Sequence, residues 1–404
     1  MAPLETAQKE VHPQAMQITR KRGPFYFAAL VLLFFLPLLL FGLVAEFALW
    51  KSGESWRLTR VIAEQARRGD AIFMRGILDQ GFQRYKLLNI ETRQPRIVAL
   101  GSSRVMEFRK EMFPGVEFYN AGGIIQGMDD LTAFVNRLTP ETTPEVLIVG
   151  VDIWWLSANH KPGADLKTAA NYDAATDWQA HLKSIRRFKS SKTYKPAFRS
   201  LKAQNGHIGI QARNSATGFR SDGSMQYQFP LPQTAEEWKF VDREKPPIPE
   251  RIRTGEAPFL ANHGMSSERA EQLNKCLEEL ARKNVLVLGF FPPFSTEAAS
   301  LMESHPGQAT LWKEARQHVP KLFAANGLAF IDASTTGTLG LDDRYLIDGI
   351  HAAETFHLHL LQRFLQTPEF SQALPELSTY LTRVLQSVKT NPWHPDFTAA
   401  REQD

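Results

Sequence analysis

Arg96-Ile97-Val98-Ala99-Leu100-Gly101-Ser102-Ser103-Arg104 is the stretch on which the reading of this chain turns. Four apolar residues follow Pro95 and Arg96 and stop at a glycine, which predicts a short strand buried on both faces. The serines that come next stand at a strand-to-helix turn. In open α/β sheets, groups that bind or react gather at such carboxyl ends of strands. Residues 116–119, 146–151, 285–291 and 328–331 are further apolar runs of this kind. Segments of helical period, 129–138, 267–283 and 311–326, separate several of them. The alternation predicts an α/β domain with a mainly parallel, five-stranded sheet covered on both faces. Ser103, Asn120, Asp152, Pro292-Pro293 and Asp332 all fall just beyond predicted strand ends. That shared placement weighs more than any single motif.

A serine hydroxyl is a poor nucleophile near neutral pH until a base takes its proton and an acceptor orients that base. Asp348-Gly349-Ile350-His351, far downstream, offers both. Ser103 reads as nucleophile, His351 as base and Asp348 as the orienting carboxylate. The Ser103 N–H and a backbone N–H within Asn120-Ala121-Gly122-Gly123 are candidate donors to a developing oxyanion. Each piece alone is weak. Gly-Ser-Ser is a common loop tripeptide, and Asp-x-x-His arises by chance in chains with many histidines. Yet of the 11 histidines only His351 has an aspartate three residues before it.

At these residues the chain resembles the SGNH (GDSL-like) hydrolase superfamily. Ala99-Leu100-Gly101-Ser102-Ser103 resembles its first block, a strand followed by Gly-Asp-Ser, and puts the nucleophile at Ser103 rather than Ser102. Tyr119-Asn120-Ala121-Gly122-Gly123 resembles its second, an Asn followed by a glycine oxyanion donor. The spacing is short, which leaves Gly122, Gly123 and Gly127 all open for that role. The third block, Gly-x-Asn, is Gly150-Val151-Asp152 here. An ionised Asp152 cannot donate the amide hydrogen bond that Asn gives. Either it is protonated, or it has another role, or the oxyanion hole is incomplete. Asp348-Gly349-Ile350-His351 matches the fifth block without departure. The resemblance covers roughly residues 95–365 and implies a flavodoxin-like three-layer α/β/α sandwich. An anchor ahead of Gly-Ser-Ser is similar to the cell-envelope branch. That branch includes proteins that assist D-alanylation of teichoic acids and O-acetylation of exopolysaccharides such as alginate, often beside a multipass membrane O-acyltransferase. The resemblance implies an acyl, most simply acetyl, ester transferase or esterase acting on an envelope glycan, with no metal or organic cofactor.

Upstream, residues 25–45 carry no charge and are almost wholly apolar. About 20 helical residues cross a hydrocarbon core of roughly 30 Å. The run exceeds the h-region of a cleaved signal peptide, and Pro37 and Gly42 are tolerable in a spanning helix. Arg20-Lys21-Arg22 precede it, so the positive-inside rule predicts a cytoplasmic tail (1–24), an anchor (25–48) and a translocated remainder. Localisation is then the cell (inner) membrane, single-pass, with the main domain extracytoplasmic or periplasmic. Residues 49–94 read as a helical stalk. Residues 95–390 form the main domain, with an insertion at about 156–262 that shows little periodicity and a turn at 218–224. Residues 391–404 are a polar tail.

The 404 residues are 43% hydrophobic and 22% charged, a globular composition, and the net charge of +4 does not argue for nucleic acid. The most basic stretch, 183–202, is either a solvated face or a surface for an anionic polymer or lipid headgroups, and the solvated face is the simpler reading. The one cysteine, Cys276, reads as a buried thiol on an amphipathic helix. Arg104 either holds an anionic substrate or pairs with a carboxylate such as Glu107. Trp154 and Trp155 either stack on sugar or fill the core. Phe291-Pro292-Pro293-Phe294 shapes the site mouth, and Asp332 is a structural carboxylate. His351, His357 and His359 do not suggest zinc, because residues two apart on a helix face different ways. Two other functions stay open: a catalytically weak glycan-binding adaptor, and a membrane-bound esterase acting on lipid.

Overall fold

The computed structural model describes residues 23–78, 81–161, 166–188, 190–203, 206–227, 242, 244–261, 263–388, 393 and 395–398. Residues 1–22 of the expected tail, with the basic triplet, lie outside them, as do 228–241 of the insertion and most of 391–404. Helix α1 (Gly23–Ser52) is long and apolar enough to cross a membrane, and residues 23–40 are exposed along their whole length. Its last turns are not free. Ala45, Ala48 and Leu49 are fully buried. Just beyond, the buried Glu54 carboxylate accepts the N–H groups of Gly76 (2.8 Å), Ile77 (2.6 Å), Leu78 (2.9 Å) and Ile210 (2.8 Å). Four backbone donors offset part of the cost of burial, which still holds the Glu54 carboxyl above its ordinary value.

Helices α2 (Leu58–Arg68) and α3 (Gln83–Arg93) follow. They do not form a free stalk. Val61, Tyr85, Leu87 and Ile90 are buried, and Phe73 makes β-bridges to both Ile208 and Phe219 of the insertion. A half-apolar surface of that size packs onto the domain rather than standing in water.

Strands β1 (Ile97–Gly101), β2 (Phe118–Gly122) and β3 (Val146–Gly150) come next, then a small antiparallel hairpin of β4 (Gly218–Phe219) and β5 (Met225–Gln226), then β6 (Leu286–Phe290) and β7 (Ala329–Ile331). Five of them form one sheet in the order β2-β1-β3-β6-β7, with every neighbouring pair parallel. β2 begins at Phe118 rather than 116, because the Val116 N–H is drawn into the turn at Pro114-Gly115 by the Phe113 carbonyl (3.2 Å).

The remaining long helices are α4 (Met128–Arg137), α5 (Trp178–Phe188), α6 (Ser191–Lys202), α7 (Ser267–Arg282), α8 (Ala309–Ala325), α9 (Glu354–Phe364) and α10 (Leu377–Ser387). Ser266 caps α7 by accepting the Arg269 N–H, where the sequence predicts the helix to start. Strand residues divide by parity. Val98, Leu100, Leu147 and Val149 pack with α4, α7 and α8, while Ile97, Ala99, Ile148 and Leu288 pack with α9 and α10. The sheet is buried on both sides, as continuous apolar strands require.

The insertion is more regular than its sequence suggests. α5 and α6 lie within it, with β4 and β5 flanking the expected turn. α5 buries only Ala180, Ser184 and Phe188, so small or polar residues hold two of its three inward positions and hide the helical period.

Candidate active site

β1 delivers its chain to Gly101, and Ser102 then caps a single 3-10 turn, Ser103–Val105, by accepting the Arg104 N–H (3.3 Å). The turn is tight because Gly150, on the adjacent strand, has no Cβ. One there would meet Val105 Cγ1 at 2.4 Å. Asn120 of β2 braces the turn, since its Nδ2 donates to the Val105 carbonyl (2.8 Å) and the Phe108 carbonyl (2.9 Å). Ser103 is thereby held partly exposed among buried neighbours.

The partner loop closes on itself. Leu346 bridges Ala352, and the Ile347 N–H donates to the His351 carbonyl (2.8 Å). Asp348 Oδ1 accepts the N–H groups of Ile350 (3.0 Å) and His351 (2.8 Å). The same carboxylate lies 2.8 and 2.9 Å from His351 Nδ1. With Asp348 ionised, Nδ1 carries the ring proton and Nε2 is left as an acceptor. His351 Nε2 is 2.9 Å from Ser103 Oγ. The structure thus brings Ser103, His351 and Asp348 into one hydrogen-bonded line, with 16% of the imidazole still exposed to an incoming molecule.

Burial works against a charged His351, but the charge and hydrogen bond of Asp348 outweigh it, and the imidazole sits above its ordinary value. For Asp348, burial alone would raise the carboxyl. His351 and the two backbone N–H groups more than reverse that and lower it. This is the pattern of a base tuned by an anionic orienter.

The structure assigns the other expected site residues differently. Arg104 is buried and does not face a substrate. Its guanidinium donates to Asp152 Oδ1 (2.8 Å), to the Ile350 carbonyl (2.9 Å), to the Pro292 carbonyl (2.7 Å) and to the Pro293 carbonyl. One side chain therefore ties the Ser103 turn to the end of β3, to the Pro-Pro turn after β6 and to the Asp348–His351 loop. Its partner is Asp152, not Glu107. Asp152 is fully buried, and burial pushes its carboxyl up against the pull of Arg104. It serves as an anchor for Arg104 rather than as an oxyanion donor. Asn120 likewise spends its amide on the Ser103–Val105 turn. The Gly122 N–H donates to Asn120 Oδ1 (2.7 Å), and the Gly123 N–H to the Gly101 and Ser102 carbonyls (both 2.9 Å). Both glycine amides are engaged inside the chain. Gly123 is needed for its conformation (φ 89°), with Met106 Cε 2.2 Å from where a Cβ would stand. Among the described residues the Ser103 N–H has no acceptor, which leaves it able to donate.

Trp155 is fully buried and Trp154 nearly so, packed on Phe259 and Phe294, so both are core. Asp332 pairs with Arg316 (2.7 Å). His357 packs against Phe108, donates Nδ1–H to the Ala353 carbonyl (3.0 Å) and is pushed down to about 4 by burial, a neutral core histidine. Burial raises the Cys276 thiol.

Two groups that the sequence does not flag shape the site. Lys86 of α3 is buried. It donates to the Asn120 carbonyl (2.9 Å) and the Gly223 carbonyl, and lies 4.2 Å from the Phe219 ring, clamping the β4–β5 turn onto β2. Burial pushes it down to about 7, against the pull of Asp222. Glu244, in the insertion, brings a carboxylate oxygen within 4.8 Å of His351 and Asp348. These three groups have donor atoms suited to a cation. Both nitrogens of His351 are already engaged, so a metal there would displace either Ser103 or Asp348.

Glu107 is buried, and neither carboxylate oxygen has a hydrogen-bond partner among the described residues. Burial, then the nearby Glu354, raises its pKa well above the usual carboxylate range. A raised acid binds protons more tightly folded than unfolded, so it costs stability as pH rises above its unfolded value. Glu107→Gln removes that titration and should gain stability relative to wild type as the pH is raised from 5 to 9. Thermal melts across that range check this, and a variant that loses ground at high pH contradicts it.

No protein-family model matches the chain, and no curated protein matches it.

Proposed function

We propose that this chain is a membrane-anchored serine esterase or O-acyltransferase of SGNH-like build, acting on an acyl ester of an envelope glycan. One observation carries the reading: Ser103 Oγ, His351 Nε2, His351 Nδ1 and Asp348 form a continuous chain of contacts of 2.8–2.9 Å. Such a line does one chemical job. The base takes the hydroxyl proton as oxygen attacks a carbonyl, and the carboxylate steadies the resulting imidazolium. The strand order β2-β1-β3-β6-β7 supports a flavodoxin-like three-layer arrangement, with the site at the carboxyl ends of the strands. α1 supports the anchor by length and composition, and among the described residues no other helix is long and apolar enough to cross a membrane.

A fluorophosphonate probe tests the chemistry: it should label wild type, and Ser103→Ala should abolish labelling. Faster turnover of p-nitrophenyl acetate than of long-chain esters supports a small acyl group, and the reverse order favours a lipid esterase. The engaged amides of Gly122 and Gly123 favour a second reading, a glycan-binding adaptor with weak or no catalysis. Folded wild type that resists the probe would favour that reading over the first.

A base must be neutral to accept a proton. The raised His351 therefore puts the acid limb of kcat/KM above pH 6.5, the ordinary imidazole value. Glu244 is among the groups that raise it, so Glu244→Gln should slide that limb to lower pH while the plateau persists. A limb that stays in place in the variant would remove Glu244 from the site.

A further inference from the structure

We infer that the α5–α6 hairpin is a foot that binds the anionic headgroup layer of the membrane crossed by α1. The inference rests on the anchor reading above and extends it to a second point of contact.

Orientation comes first. Glu46 of α1 meets His181 of α5 (2.9 Å), and Phe41, five residues earlier on α1, meets Phe188 (ring centroids 6.0 Å), seven residues later on α5. The two helices therefore run antiparallel, and the turn joining α5 to α6 points towards the apolar end of α1. Residues 23–40 are exposed throughout, and at 1.5 Å per residue they span about 27 Å, close to the thickness of a hydrocarbon core. With that stretch in lipid, the hydrocarbon boundary falls at the level of Phe41. Phe188 docks at that level, so the closed end of the hairpin lies among headgroups.

Composition comes second. From Trp178 to Lys202 the sequence has eight Lys or Arg and no Asp or Glu, while the whole chain nets only +4. Arg186, Lys192, Lys195 and Arg199 are exposed. Near the closed end the surface also shows Tyr194 and Phe198, 37% and 42% exposed. A purely solvated helix face mixes both signs of charge and does not display large aromatic side chains. Basic residues interleaved with aromatics at the depth of a bilayer surface are what an interfacial element requires. Beside the hairpin a crevice of about 290 Å³, lined by Arg187, Lys192, Thr193, Asn214 and Ser215 among others, has room for a headgroup phosphate. The solvated-face reading of 183–202 gives way to this one because it leaves both the exposed aromatics and the aim of the turn unexplained.

The test uses the full chain in nanodiscs. Cys276 is the only cysteine and is buried, so Cys276→Ser gives a clean background. A fluorophore is placed at Tyr194→Cys, with Phe34→Cys on α1 as the insertion control. Nitroxide-labelled lipid should quench the label at 194 at least about twofold more strongly in bilayers one-third phosphatidylglycerol than in phosphatidylcholine alone. Adding Arg186→Gln, Lys192→Gln, Lys195→Gln and Arg199→Gln should remove most of that difference. Equal quenching in both bilayers, or none at 194 while 34 is quenched, overturns the foot and leaves the anchor standing. No quenching at either position overturns the anchor and the foot together.

Discussion

Ser103→Ala is expected to lower kcat for an acyl ester by on the order of 10⁴-fold or more, with His351→Ala close behind and the double variant no worse than either. The three atoms work as one device. Without the hydroxyl there is no attacking atom, and without the imidazole the hydroxyl keeps its proton at neutral pH. Each loss alone breaks the line at 2.9 Å, so the second has little left to remove. Both side chains are partly exposed at the ends of short loops, and neither substitution opens a cavity in the core. Their melting curves should overlay wild type within about 1 kcal/mol. Turnover measured beside thermal melts decides the matter. Multiplicative losses in the double variant, or a Ser103→Ala enzyme that still turns over, would mean that these groups do not act together.

Arg104→Met should produce the largest loss of stability of any single change near the site, about 3–5 kcal/mol. It strands the buried Asp152 carboxylate without its counter-ion and leaves the carbonyls of Ile350, Pro292 and Pro293 without their donor. Activity should fall too, although Arg104 touches no reacting atom, because the Ile350 carbonyl is one residue from His351. The double variant Arg104→Met, Asp152→Leu separates these effects. Replacing both members of a buried pair by apolar side chains is often close to neutral, so most of the stability should return. The loop that carries His351 would still lack its tie, and turnover should stay low. Denaturant melts and kcat on the same three variants give the comparison. If Arg104→Met melts like wild type, the guanidinium is not what joins the four segments.

What the sequence disclosed follows from how local each signal is. Strands 97–101 and 146–150 were legible because uninterrupted apolar runs have one use in an α/β protein. Ser103 and the pair Asp348–His351 were legible because each lies in a short motif, and the motif itself fixes the internal geometry: Asp348 binds the backbone of the residues it precedes. Arg104 was visible but its partner was not. Glu107, three residues away, was the natural candidate, and the chain instead chose Asp152 at the end of the adjacent strand. Glu54, Lys86 and Glu244 gave no sign at all. Glu54 and Lys86 bind backbone groups of distant segments, and a backbone N–H or carbonyl has no letter in the sequence. Glu244 sits in an insertion without a motif, and only the folded chain carries it to His351.

The clamp around Glu54 has a mechanical outcome. A hydrolase on a flexible tether can tumble and sample a wide volume above its membrane. Here the last turns of α1 are packed into the domain, and four backbone groups hold the carboxylate that follows them, so there is no hinge at the junction. With α1 in a bilayer, the reactive hydroxyl travels in a plane at one fixed elevation. Under the proposed function, lateral diffusion alone would carry it to its targets, and an acyl group presented higher or lower than that plane would be out of reach however reactive it is.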